Sequence, residues 1–218
     1  MKPKHILLDL DGTLTDSRPG IFTSYRAALR SLGIEPDPDF DLTVAVGPAM
    51  HDAMGLVLAH YGDTRLEEAI TACRAHYAEV GLYENSVYDG IGDLLTSLTG
   101  AGRSLYLATS KRRHFAVQIL EHFGLSGHFR AIYGSIPGGT LDHKPEMIAH
   151  ILAEQGIAAA DAVMIGDRRF DIEGARANGV REIGVLWGYG SPEELTQAGA
   201  RTLVATPAEL ERLLVSAG

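Results

Sequence analysis

Short apolar runs that do not alternate with polar residues constrain this fold most. They cover residues 4–9, 104–109, 131–133, 162–165 and 182–186, with a sixth expected at 202–204. A strand with one wet face alternates, whereas a strand covered on both faces reads as a continuous apolar run. Helical stripes separate the runs. Ile91, Leu94, Leu95 and Leu98 share one face. Phe115, Ile119, Leu120 and Phe123 form another, stopped by Gly124, and Ile148, Ile151 and Leu152 precede Gly156. Ser191-Pro192 and Thr206-Pro207 each join a capping hydroxyl to a proline suited to a first helical position. Strands alternating with helices predict an α/β fold with a doubly wound, Rossmann-like parallel sheet.

The rhythm breaks once. Residues 15–83 show helical stripes only: Ile21, Tyr25, Leu29 and Leu32; then Met50, Met54, Val57, Leu58 and Tyr61; then Leu66, Ile70, Cys73, Tyr77 and Val80. The last is expected to open with a capping box at Thr64 and Glu67. The expected organisation is a core of residues 1–14 and 84–218 interrupted by a helical cap, 15–83. An insertion starting beside Asp9 and Asp11 is expected to act as a lid, with chain crossings near 14–17 and 83–89 as its hinge. The plainer alternative is a structural embellishment without gating.

Composition bounds the function. With 218 residues, 45% of them apolar, the chain can build a core of one large domain with an insertion. A net charge of -9 speaks against a nucleic-acid polymer as partner. Cys73 is the only cysteine, so neither an internal disulfide nor a cysteine metal site can form, which suits a reducing cytoplasm. The apolar run behind the basic start at 1–4 is cut by Asp9, too early for a signal peptide, and no run reaches membrane-spanning length. A cytoplasmic protein without a membrane partner is expected.

Polar chemistry gathers where the apolar runs end. Asp9 and Asp11 close the first run, and with the strand period of two they should point the same way. Gly12 then permits a sharp turn into Thr13. A polar turn would explain these residues alone, but similar features recur. Thr109-Ser110 ends the second run, and Lys111, Arg112 and Arg113 are expected in the first turn of the next helix. Cations there oppose the helix dipole unless an anion sits nearby, and Lys111 is the stronger anion-binding candidate of the three. Lys144 precedes Pro145 at a helix start. Gly166-Asp167 ends the fourth run, and Asp171, four residues on, is expected on the same helix face. Three or four converging carboxylates need a cation, and an all-oxygen set favours Mg²⁺.

These segments resemble the four motifs of haloacid-dehalogenase-like hydrolases: Asp9-x-Asp11-Gly12-Thr13-Leu14, Thr109, Lys144-Pro145, and Gly166-Asp167 with Asp171. Within that superfamily the chain is similar to the phosphoglycolate-phosphatase-like and 5′-nucleotidase-like branch, through Thr109-Ser110-Lys111, residues 121–125, Gly166-Asp167-Arg168 and Trp187-Gly188-Tyr189-Gly190. The resemblance implies a helical cap after the first motif. It implies Asp9 as nucleophile forming an aspartyl-phosphate, and Asp11 as general acid and then base. It also implies Mg²⁺ held by Asp9, the Asp11 carbonyl and Asp167, with waters on Asp171. Thr109, Lys144 and backbone N–H groups would steady the phosphoryl oxygens, with Gly12, Thr13, Ser110 and Lys111 at the substrate. Asp11 favours phosphate chemistry, because the superfamily's dehalogenases lack that second aspartate.

The expected activity is Mg²⁺-dependent hydrolysis of a small phosphorylated metabolite, phosphoglycolate or a nucleoside 5′-monophosphate, by a monomer or weak homodimer. The alternatives are a phosphomutase of the same superfamily and a non-catalytic phosphate binder. Weaker candidates are His143 and Arg18 as substrate contacts and a helix starting at Gly47-Pro48. Nine histidines show no paired zinc spacing.

Overall fold

The computed structural model describes residues 3–139 and 141–215. Met1 and Lys2, half of the basic start, lie outside them, as does the extreme carboxyl terminus of the expected core.

The chain opens with strand β1 (His5–Leu8), then a short strand β2 (Thr15–Asp16). Three helices follow, α1 (Arg18–Ser31), α2 (Met50–His60) and α3 (Leu66–His76), and the chain returns through β3 (Ser86–Val87). Beyond it come α4 (Ile91–Gly100), β4 (Ser104–Arg112), α5 (Arg113–His122), β5 (Phe129–Ser135) and α6 (Lys144–Gln155). The last part is β6 (Ala162–Gly166), α7 (Arg169–Ala177), β7 (Arg181–Val185), α8 (Pro192–Gln197), β8 (Leu203–Val204) and α9 (Pro207–Val215). Two compact units result: Met1–Thr15 with Val87–Gly218, and Asp16–Ser86. The division falls within β2 and β3, which pair as a two-stranded sheet.

The first unit holds a six-stranded sheet in the order β5-β4-β1-β6-β7-β8, with neighbouring strands parallel. It is the α/β Rossmann-like fold, with helices covering the strands. Ile6, Leu7 and Leu8 are wholly buried, as a central strand requires. Leu7, Tyr106 and Met164, level on adjacent strands, pack against Met147, Ile148 and Ile151 of α6 and Ala175 of α7. α4 buries its stripe of Ile91, Leu94, Leu95 and Leu98. Gly156 ends α6 with a left-handed cap at φ 63°. Chain order places β4 and β5 on one side of β1 and β6 to β8 on the other. The carboxyl ends of β4, β1 and β6 therefore flank the switch point where open α/β sheets bind ligands.

The second unit has its own core, where Tyr25, Leu29, Met54, Val57, Leu58, Ile70 and Cys73 pack together. Gly20 and Gly81 approach so closely that a Cβ on Gly20 would overlap the Gly81 carbonyl. Four expectations fail here. Residues 15–83 are not helical throughout, since β2 begins at Thr15. The capping box at Thr64 and Glu67 does not form: Asp63 takes the Arg65 N–H at 2.8 Å, Arg65 becomes the N-cap, and α3 starts at Leu66. Val80 leaves the third stripe because the helix widens into a π turn over Tyr77–Gly81, which leaves Val80 41% exposed. The helix expected at Gly47-Pro48 starts two residues later, at Met50. Among the described residues no helix is long and apolar enough to cross a membrane.

Candidate active site

The turn after β1 builds the first wall of the site. Asp9 N–H donates to the Ile165 carbonyl at 3.0 Å, extending the β1–β6 ladder one residue past the strand. The chain then folds back: the N–H groups of Leu14 and Thr15 both reach the Leu10 carbonyl, at 2.9 and 3.0 Å. Gly12 sits at φ 84°, and a Cβ there would overlap the Asp167 carboxylate, so the position excludes a side chain twice over.

Asp9, Asp167 and Asp171 are buried and each offers a carboxylate oxygen within 4.8 Å of the others. Asp11 is not in this group. β1 stops at Leu8, so the strand period does not carry from Asp9 to Asp11, and the Asp11 carboxylate pairs with Lys111 Nζ at 2.8 Å. Asp167 and Asp171 do not share a helix face either. α7 begins at Arg169 with Arg168 as N-cap, leaving Asp167 in the preceding turn. Asp171, at the third helical position, accepts the Arg168 N–H at 3.2 Å and completes a capping arrangement. Gly166 is compulsory beside it, because a Cβ there would overlap the Asp171 carboxylate.

Lys144 is the cation inside this cluster. It is the first residue of α6, its side chain is 2% exposed, and Nζ lies 2.9 Å from Asp9 Oδ1 and 2.5 Å from Asp171 Oδ1. It also donates to the Ala108 carbonyl at 2.7 Å, tying α6 to β4. Gly174 makes the lysine's passage possible, since a Cβ there would stand 2.7 Å from Lys144 Cβ. Although Nζ is so close, Asp9 Oδ1 and Asp171 Oδ1 receive no well-directed hydrogen bond.

The electrostatics follow from burial. Desolvation raises Asp9 to about 7; the Lys144 charge opposes this, and Asp171 and Asp11 add to it. Asp167 is held well above the usual carboxylate range, by burial first and then by Asp171 and Asp9. Burial alone would lower Lys144, but the Asp171 and Asp9 carboxylates outweigh it and hold the ammonium above its usual value. The fully ionised trio with Lys144 leaves two negative charges uncompensated in a buried place. The group fits a hard dication by charge, by its all-oxygen donors and by its undirected carboxylate oxygens.

A family pattern described as haloacid dehalogenase-like hydrolase matches residues 6–185. The chain belongs to that family. A 5′-nucleotidase of Pseudomonas aeruginosa is 45% identical over 215 residues, 97% of this chain and 96% of that protein. The tyrosine-protein kinase PtkA of Mycobacterium tuberculosis is 42% identical over 220 residues, 99% of this chain and 73% of that protein. The crystal structure of a predicted phosphatase from Clostridium acetobutylicum superposes with a TM-score of 0.91 at 40% identity, covering 98% of each chain. The activity is accordingly that of a phosphatase of the haloacid dehalogenase-like hydrolases.

Thr109 is buried at the end of β4's apolar run, and its Oγ1 accepts the Lys111 N–H at 3.2 Å. Ser110, Lys111 and Arg112 are not in a helix. β4 runs on through Arg112, and α5 begins only at Arg113, so the dipole argument for Lys111 is replaced by its pairing with Asp11. Arg113 turns away and donates to the Ile132 carbonyl at 2.8 Å. Thr13 is buried, with Oγ1 3.3 Å from Asp167 Oδ1. His143 is the exposed N-cap of α6. Arg18 makes a two-pronged contact with Asp16, at 3.0 and 2.8 Å, within the second unit. Sequence reasoning named Gly166 within the fourth motif without its space-making role, and it missed Gly174. Their only signal is a glycine beside a charged motif residue or on a helix face.

Proposed function

We propose that this chain is a Mg²⁺-dependent phosphomonoesterase that works through a phosphoryl group carried on Asp9, with nucleoside 5′-monophosphates ahead of phosphoglycolate as substrates. One observation carries the reading: three buried carboxylates around a single lysine, two charges short of neutrality, at the switch point of a parallel sheet. The 45% identity to a protein named 5′-nucleotidase supports the substrate order.

Asp9 is the nucleophile. Its carboxylate oxygen attacks phosphorus, the bond to the ester oxygen breaks, and the Asp11 carboxyl gives its proton to the departing alkoxide. Asp11 then takes a proton from water as that water attacks the aspartyl-phosphate, freeing phosphate and Asp9. Lys144 orients Asp9, while Lys111 and the Thr109 hydroxyl stand ready for phosphoryl oxygens, with Ser110, Gly12 and Thr13 completing the phosphate's surroundings. Mg²⁺ would be held by Asp9, the Asp11 carbonyl and Asp167, with Asp171 completing the acidic group, and would supply charge neutralisation at the phosphoryl group. The protein acts in the cytoplasm as a monomer or weak homodimer.

Phosphate release from a panel of monoesters, with Mg²⁺ and with EDTA, tests the reading. Release with Mg²⁺, greatest for nucleoside 5′-monophosphates and absent in EDTA, is expected; release indifferent to EDTA would overturn the metal role. Asp11→Asn should retain Mg²⁺ binding and lose turnover by about 10²- to 10⁴-fold, the usual contribution of a positioned acid–base group. Unchanged turnover would remove Asp11 from that role.

The raised Asp9 has a consequence for the metal-free protein. Between the ordinary carboxylate range and about 7, the folded state holds a proton that the unfolded chain has released. Stability in EDTA is then fully present at low pH within the folded range and is lost as pH rises through about 7, with Asp167 acting in the same direction. Melting temperatures in EDTA at stepped pH check the sign; a melting point rising across that window contradicts it.

A second reading shares the phosphorylated Asp9 but passes the group to a hydroxyl other than water's, as a phosphomutase does with a sugar. The 42% identity to a protein named tyrosine-protein kinase favours considering it. A labelled phosphoryl group found on an acceptor instead of in free phosphate would establish it.

A further inference from the structure

We infer that the segment Trp187–Gly190, just past β7, is the positioning element that aims the Asp167 carboxylate and so sets Mg²⁺ affinity. The inference rests on the proposed metal site and concerns residues packed behind one of its carboxylates.

Both oxygens of Asp167 are directed from this segment. Asp167 Oδ2 accepts the Tyr189 N–H at 2.8 Å. Asp167 Oδ1 lies 3.3 Å from the Thr13 hydroxyl, and the Thr13 carbonyl in turn accepts the Trp187 indole N–H at 3.0 Å. One oxygen is thus held by the segment's backbone, and the other through Thr13, whose own place the indole fixes.

The glycines of the segment are contact surfaces. A Cβ on Gly188 would overlap both Asp167 Cβ and the Gly12 carbonyl, so Gly188 is wedged between the first and fourth motifs. A Cβ on Gly190 would overlap the Asp167 carbonyl. Neither glycine has a positive φ, so alanine is allowed by the backbone at both positions and any cost comes from pushing Asp167 or Gly12 aside. Partners behind a metal ligand commonly control affinity 10- to 100-fold.

The test titrates Mg²⁺ alone into metal-free wild type, Trp187→Phe and Gly188→Ala by calorimetry, and follows phosphate release against Mg²⁺ concentration in parallel. Trp187→Phe keeps an aromatic ring and deletes the N–H. Both variants are expected to bind Mg²⁺ about 10-fold or more weakly, and their half-saturating Mg²⁺ concentration for turnover should rise to match. At saturating Mg²⁺, Trp187→Phe should recover most of the wild-type kcat, which a general loss of folding would not allow. Should Gly188→Ala fail to fold, Trp187→Phe decides alone. A folded Trp187→Phe with the wild-type Mg²⁺ isotherm overturns the inference. Failure of the wild type itself to bind Mg²⁺ would instead overturn the proposed metal site, so the two failures are distinct.

Discussion

Asp9→Asn abolishes phosphate release, with an expected loss of at least about 10⁴-fold, the scale on which removing a covalent nucleophile acts. The substitution is nearly isosteric and takes away one buried negative charge. Desolvation already works against ionised Asp9, raising it to about 7, so the neutral amide should not destabilise the fold. The metal-free variant is expected to melt at or above the wild-type temperature at neutral pH. Loss of turnover together with retained stability separates a chemical role from a structural one. Steady-state phosphate release and a melting curve on the same preparation check both halves. Retained turnover removes Asp9 as nucleophile.

Lys144→Met produces the opposite pairing, a large loss of stability together with a loss of rate. The ammonium is 2% exposed and lies against Asp9, Asp171 and the Ala108 carbonyl. Methionine fills similar space but strands the carboxylates. Breaking a buried ionic group by removing one partner costs about 3–5 kcal/mol. For a chain of this size that is a fall in melting temperature on the order of 10 °C. The deficit should shrink at lower pH, where the stranded carboxylates take up protons, and shrink also on adding Mg²⁺. Turnover should drop by about 10²- to 10³-fold, the cost of losing one electrostatic partner at the reacting group. A variant that melts with the wild type at neutral pH would show that the carboxylates do not depend on Lys144.

The sheet was legible because burial on both faces leaves a direct trace: a run such as residues 162–165 has no polar break, and it ends at Gly166-Asp167 where the strand ends. The carboxylates at strand ends were legible for the same reason, since an acid closing an apolar run is conspicuous. Lys111 was misplaced because apolarity stops before hydrogen bonding does. β4 continues through Ser110, Lys111 and Arg112, with Arg112 level with Ser135 after a register shift, and nothing apolar marks those residues as a strand. At Thr64 two capping patterns competed, and Asp63 won by binding both the backbone and the side chain of Arg65. The glycines beside Asp167 and Asp171 could not be interpreted from sequence. Their meaning lies in which distant atom a Cβ would strike, and Gly188 strikes residues of the first and fourth motifs at once. Lys144 was visible as a residue, but its simultaneous approach to β4, the β1 turn and α7 is a property of the folded chain alone.

A phosphoryl group carried on Asp9 leaves a covalent mark on the chain. The most direct measurement mixes the Mg²⁺-loaded protein with a good monoester substrate, quenches with acid within the first turnover, and maps the added phosphoryl mass by peptide mass spectrometry. The group is expected on the peptide bearing Asp9, appearing before free phosphate and absent from Asp9→Asn. Full release of phosphate in that first turnover without a phosphorylated peptide at any quench time, from wild type and Asp9→Asn alike, would contradict it.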